Sequence, residues 1–359
     1  MENYFKGLKV VELAGVLAGP AAGLFFAELG ATVVKVENKK TEGDPIRKWK
    51  LPEESKDNPA SAYYHSVNWN KEVVFLDYNH PDDLVQLHAL LQEADIALVN
   101  FKAGDAAKWH LDNTRLRLEY PSLIIGEIQG FKTSARIAYD AVLQAETGFM
   151  SINGTDATGP LKLPVAFIDL FAGHQLKQGL LVALLYRSKT GKGALVSVTL
   201  EESAIASLAN QASAWLNTNV LPTQTGSLHP VIAPYGETFI TKDQRFILLA
   251  VGTDTQFKKL CHVLNLPDLP LQMSFSTNPA RVVNRTALAR LLAPAFLSFN
   301  ASELMAMLDE EGVPAGLVKN MEQVFESKTA TSMIMRQTEQ DGSISRRVRT
   351  AIFTIQENL

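Results

Sequence analysis

Residues Leu8–Glu37 read LKVVELAGVLAGPAAGLFFAELGATVVKVE. Leu8–Leu13 has the apolar density of a buried strand, and a loop of small residues follows. Gly19-Pro20 then opens a helix, because proline fits a first turn where its missing N–H has no acceptor. Gly30 offers a helix stop, and Ala31–Glu37 predicts a second strand. The rhythm continues with strands at Val73–Asp77, Asp95–Asn100 and Ser122–Ile128, and helices around Asp82–Gln92 and Asp112–Tyr120. Strands separated by helices require right-handed crossovers and a mostly parallel sheet. The fold class expected is α/β, with a Rossmann-like large domain.

Working outward, Lys39–Lys71 breaks the alternation with charges and three prolines, a connection long enough to suggest function. Asp169–Arg187 predicts a long buried helix that ends in Lys189-Thr-Gly-Lys-Gly193, with cations and glycine where a helix C-terminus favours them. A strand at Ala194–Leu200 and a helix from Glu201 to about Leu216 follow. Pro222–Pro234 reads as a linker. Beyond it, strands at Thr238–Thr241 and Phe246–Val251 and helices near Thr255–Leu264, Thr286–Leu297 and Ala301–Glu311 predict a smaller α+β domain. Ser332–Ile355 alternates like two strands joined at Asp341-Gly342. The expected division is residues 1–221, a small domain over 222–322, and a segment over 323–359 that returns to the large domain.

Composition narrows the function. The 359 residues carry 34 Lys+Arg against 38 Asp+Glu, a net charge of -4 that argues against general nucleic-acid binding. Cys261 is the single cysteine, so neither an intramolecular disulfide nor a cysteine zinc site is possible. The first residues lack a signal-peptide pattern and no apolar stretch suits a membrane span, so a cytoplasmic location is expected. GxGxxG, GxxxxGK[ST] and GxSxG are all missing, which removes the main support for dinucleotide, P-loop and serine-hydrolase readings. The scattered histidines show no metal-ligand spacing.

Several stretches occur in an order that resembles the family III CoA-transferases (CaiB/BaiF), relatives of formyl-CoA transferase, carnitine CoA-transferase and α-methylacyl-CoA racemase. They are Leu8–Arg47, Asn68-Trp-Asn-Lys71, Leu76-Asp77, Asn100-Phe101, Gly130-Phe131 and Tyr139-Asp140. Asp169, Gly173, Ala183–Gly193, Ala233-Pro234-Tyr235-Gly236 and Gly312–Gly316 follow. The resemblance implies an interlocked, ring-shaped homodimer. It implies no permanently bound cofactor, a CoA thioester and a small carboxylic acid as substrates, and no nucleic-acid or membrane partner.

The same resemblance places the family's catalytic aspartate on Asp169. A carboxylate with an ordinary pKa of ~3.9 needs no general base at neutral pH to attack a thioester. Family chemistry then implies an aspartyl-CoA thioester. As a residue type at a helix start, Asp169 equally suits an N-cap, and the helix field keeps a carboxylate ionised. The loop Ala14–Gly19 is the candidate supplier of oxyanion donors. CoA brings roughly four negative charges. Val16, Ala18 and Pro20 match positions lining the family's CoA groove, and Asn100, Phe101 and Lys108 match the stretch that holds the phosphates. Lys71 suits a similar role and Tyr139 a contact to CoA or intermediate. Asn38 stands where many members carry an arginine that packs on the adenine. No glycine-rich covering loop of the GGGGQ type occurs, so either a different loop such as Gln224–His229 does that job or the intermediate is less shielded, and the family's Pro-rich tail does not follow the last strand.

Two rival functions share these features. The racemase branch needs a histidine base where this chain has Ala138-Tyr139-Asp140, and phenols, which ionise near ~10, are poor bases at neutral pH. Its second-domain glutamate has only Asp254 near its place. A non-catalytic CoA-binding paralogue would explain the departures at Asn38 and in the small domain, but not the retained Asp169.

Overall fold

The computed structural model describes residues 3–102, 104–339 and 341–356. Six strands, β1 (Lys9–Glu12), β2 (Thr32–Asn38), β3 (Glu72–Leu76), β4 (Ile96–Val99), β5 (Ile124–Gln129) and β6 (Leu195–Thr199), form one sheet. Its order is β3-β2-β1-β4-β5-β6 and every pairing is parallel. Chain direction across the sheet reverses between β1 and β4, so the crevice outside their C-terminal ends is where such a sheet takes a ligand.

Both faces of the sheet are covered, which is why its strands read as continuous apolar runs. Side chains alternate between the faces. Val10, Ile96 and Ile124 pack with residues of helices Ala18–Glu28 and Phe167–Thr190. Val11, Ala97 and Ile125 pack with residues of Pro81–Glu93 and Asn113–Glu119. The two helices on the first face approach closely because they meet through small residues. A Cβ on Gly173 would lie 2.9 Å from the Ala18 carbonyl oxygen.

The chain divides into two compact units. The first comprises Met1–Met150, Lys162–Pro222 and Thr329–Leu359; the second comprises Ser151–Leu161 and Thr223–Lys328. Ser151–Leu161, read from sequence as part of the large domain, packs with the second unit, where Gly226 N–H donates to the Gly154 carbonyl at 2.7 Å. That unit holds an antiparallel sheet in the order Ala315–Leu317, Phe246–Ala250, Tyr235–Ile240. The segment read as a linker is pinned within it. Arg281 donates to the Ala233 carbonyl, and Arg285 to those of His229 and Ile232. Ile334–Thr338 and Ile344–Val348 pair as a hairpin in the first unit. Arg347 of this hairpin reaches Glu28 at 2.5 Å, and Glu28 also accepts the N–H groups of Thr350 and Ala351. A helix expected from sequence is also corrected. The helix expected over 201–216 is two helices, Leu200–Ser207 and Ala209–Thr218, because Ala209 takes φ +46 with no glycine or proline to announce the break.

Inside the first face lies a charged cluster. Glu12 is the last residue of β1 and pairs in register with Lys35 of β2. Its buried carboxylate takes Lys35 Nζ at 3.0 Å and Lys71 Nζ at 2.8 Å, and Lys35 also reaches Asp44 at 3.1 Å. Gly23 makes room, since a Cβ there would lie 1.8 Å from Glu12 Oε2. Burial pulls the Lys71 ammonium down to about 8 despite Glu12. For Lys35 burial acts the same way, but the carboxylates of Glu12, Asp44 and Glu37 outweigh it and hold it above its ordinary value. Glu12→Gln keeps the shape and removes the charge that both ammoniums share. It should cost about 3–5 kcal/mol, because breaking a buried pair strands the remaining charges. Urea unfolding measures this, and a loss under ~1 kcal/mol would contradict the shared-charge account.

Candidate active site

The loop after β1 is clamped by side chains at three successive residues. Lys35 Nζ donates to the Ala14 carbonyl at 2.9 Å. Asn100, just past β4, accepts the Gly15 N–H at 3.0 Å and donates back to the Gly15 carbonyl at 2.9 Å. Asp44 accepts the Val16 N–H at 3.1 Å. Val16 sits at φ +70, a region costly for a β-branched residue and held only where surroundings over-determine it. The switch-point crevice is therefore rigid where β1 and β4 meet.

The N–H groups of Gly15 and Val16 point inward to these partners, so they are not the oxyanion donors expected of Ala14–Gly19. Other donors of that loop include those of Ala18 and Gly19, in the first turn of Ala18–Glu28, where helical N–H groups lack intrahelical acceptors.

The long helix starts at Phe167, two residues before the expected start, after an Ala166 N-cap that offers no side-chain bond. Asp169 is thus in the first turn and does not cap the helix. That task falls to Asp140, at the head of helix Asp140–Glu146, whose Oδ2 accepts Ile168 N–H at 2.8 Å and Asp169 N–H at 3.4 Å. Gln144 Nε2 donates to the other oxygen of Asp140 at 2.5 Å. Among the described residues no hydrogen bond reaches the carboxylate of Asp169, a residue 9% exposed. Burial first, and then the neighbouring Asp140, push its carboxyl up to about 7. The expectation of an ordinary carboxylate value is corrected, because burial and the Asp140 charge both favour the protonated form.

Around Asp169 the sequence reading missed Tyr63. Its phenol is pushed up to about 12 by burial and by the charges of Asp169, Asp140 and Asp44. Ala166, Val16 and Tyr63 pack on one apolar cluster with Leu17 and Ile46. Ser61, which caps Ala62–Val67 through the Tyr64 N–H, was the available sequence signal for the helix that carries Tyr63.

The remaining expected site residues fall into two groups. Val16, Ala18, Pro20, Asn100 and Phe101 gather where β1 and β4 end, with Phe101 against Tyr78 and Trp109. Lys108 is exposed, its Nζ 5.9 Å from the Trp109 ring centroid. Asn38 ends β2 and spends its side-chain oxygen on the Lys40 N–H at 2.9 Å. Tyr139 is 54% exposed, immediately before Asp140. Lys71 is the correction. Its Nζ is enclosed by Glu12, the Pro20 carbonyl and Asn68 Oδ1, so it supports the groove from behind and faces no phosphate. Asp254, the nearest stand-in for a racemase glutamate, is tied to the buried Arg281 at 2.7 Å.

Known proteins match this arrangement along nearly the whole chain. The model of CoA-transferase family III covers residues 5–357. A succinate–glutarate CoA-transferase of Agrobacterium fabrum is 35% identical over 98% of this chain and 90% of its own. The human succinyl-CoA:glutarate CoA-transferase is 32% identical over 89% of this chain and 73% of its own. A solved CaiB/BaiF family protein from Brucella suis superposes with a TM-score of 0.87 at 35% identity, covering 99% of this chain and 93% of that one. The resemblance carried by scattered sequence motifs thus extends to overall sequence and to fold, and the chain belongs to CoA-transferase family III.

Proposed function

We propose that the enzyme moves CoA from an acyl-CoA to a small dicarboxylic acid through a thioester on Asp169. The carrying observation is that Asp169 is a buried carboxylate relieved of helix capping by Asp140 and left without a hydrogen bond among the described residues. The dicarboxylate is taken from relatives named for succinate, glutarate and mesaconate.

A carboxylate oxygen of Asp169 attacks the thioester carbonyl, and CoA thiolate leaves from the resulting oxyanion to give a mixed anhydride. The thiolate then attacks the aspartyl carbonyl, releasing the donor acid and forming the aspartyl-CoA thioester. The acceptor carboxylate attacks that thioester, forming a second anhydride and freeing thiolate. Attack of the thiolate on the acceptor carbonyl yields the new acyl-CoA and restores Asp169. No proton is consumed. First-turn N–H groups of Ala18–Glu28 are the candidate oxyanion donors. In this reading the loops after β1 and β4 hold CoA, with Lys108 attracting its phosphates.

Incubation with succinyl-CoA should add the mass of CoA, less water, to the peptide containing Asp169, and hydroxylamine should capture it as a hydroxamate. Asp169→Asn should abolish the adduct and lower transfer to glutarate by several orders of magnitude. α-Proton exchange of a 2-methylacyl-CoA without an adduct would instead establish a racemase.

The same carboxyl has a stability signature. Its folded pKa of about 7 lies above the ordinary 3.8, so the folded chain holds its proton through the window between those values. Stability therefore falls as pH rises across that window and stays reduced above it. Asp169→Asn never ionises, so it should melt several degrees higher than the parent at pH 8, with the gap closing toward pH 4. Equal melting at pH 8 would contradict the raised value.

We further propose the interlocked homodimer. Its support is the family and a band of exposed apolar residues on the long helix, Leu181, Val182, Leu185 and Tyr186. Sedimentation at nanomolar concentration should show dimer only, and native monomer would overturn it.

A further inference from the structure

Asp140 does more than a helix cap requires. Serine, threonine or asparagine would satisfy the N–H groups of Ile168 and Asp169 without adding charge. Instead the cap is a second carboxylate, 7% exposed, bonded through Asp169 N–H to the very residue proposed as nucleophile. Among the described residues the donors to the Asp140 carboxylate are neutral: two peptide N–H groups and the Gln144 amide. Gln144 is itself fixed, since its Oε1 accepts the Leu163 N–H at 2.7 Å. Among the described residues no cation counters the charge of Asp140 on Asp169.

The groups facing Asp169 from neighbouring elements share this character. Helix Ala62–Val67 contributes the Tyr63 phenol, kept protonated by burial and by these carboxylates, and Asp44 acts on it from the head of Pro45–Lys48. On the long helix the nearest cation, Lys177, lies two turns on and is drawn toward Glu28. Two like-charged groups in a dry setting raise the proton affinity of at least one of them. A more basic carboxylate is also a stronger nucleophile toward a thioester, provided enough of it is ionised at working pH. The arrangement therefore trades fold stability for nucleophile strength.

We propose that Asp140 is a positioning residue with two tasks, docking the first turn of the long helix through its oxygen and placing a buried negative charge beside Asp169. The proposal rests on the reading of Asp169 as the nucleophile.

Asp140→Asn retains the accepting oxygen and removes the charge. Single-turnover formation of the Asp169–CoA adduct from succinyl-CoA, followed by intact mass between pH 4.5 and 9, reads both tasks. In the parent, adduct formation should rise through a midpoint near neutrality. In Asp140→Asn the midpoint should move down by about one unit or more, and the plateau rate above it should fall. Asp140→Ser, a shorter neutral cap, provides the same measurement if the asparagine variant does not fold. An unmoved midpoint in a folded neutral variant, whatever happens to rate or melting, would reduce Asp140 to a cap and overturn the proposal. Absence of any adduct in the parent would instead overturn the nucleophile reading, and this one with it.

Discussion

One buried carboxylate organises the large unit. Glu12 closes β1 with a charge where the strand's other inward residues are apolar, and two lysines from separate parts of the chain converge on it. Lys35 links that charge to the loop after β1 through the Ala14 carbonyl and to Asp44, which in turn holds the Val16 N–H. Lys71 links it to the first turn of Ala18–Glu28 through the Pro20 carbonyl. Apolar packing could bring sheet and helix together, but it is non-directional and could not fix peptide groups at this precision. Charge-assisted bonds in a dry interior can.

The parts of the fold that were readable in the sequence were those governed by local periodicity. β1 to β6 and the helices Ala18–Glu28, Pro81–Glu93 and Asn113–Glu119 appear within a residue or two of expectation, because each buries a face whose spacing is written in consecutive residues, whereas the short helices Ala62–Val67, Asp105–Lys108, Asp140–Glu146 and Phe149–Ile152 were not expected. The break at Ala209 was not readable, since an ordinary residue at positive φ leaves no local mark. The site was legible unevenly for the same reason. Asp169 was found through resemblance, but its capping by Asp140 joins residues far apart in sequence. Lys71 was read as a cation for the CoA phosphates because its partner Glu12 lies 59 positions away.

The two acidic networks of the large unit work in opposite senses. Around Glu12 each negative charge meets a positive one, and the result is rigidity. Around Asp169 the neighbours are a second carboxylate and a phenol, and the result is a group whose proton equilibrium lies close to neutrality. The first network fixes backbone; the second leaves the Asp169 carboxylate without a hydrogen bond among the described residues. That division matches the general pattern in which strongly shifted groups collect where chemistry occurs.

The pairing of Arg347 with Glu28 has a consequence for how the protein is made. A ribosome releases the first helix early, yet the partner of Glu28 emerges only after more than three hundred further residues. The second unit, nearly all of it continuous from Thr223 to Lys328, is fully synthesised before that partner arrives. Order of synthesis and order of completion are therefore inverted: the domain encoded first is finished last, and its nascent form must wait with Glu28 unpaired.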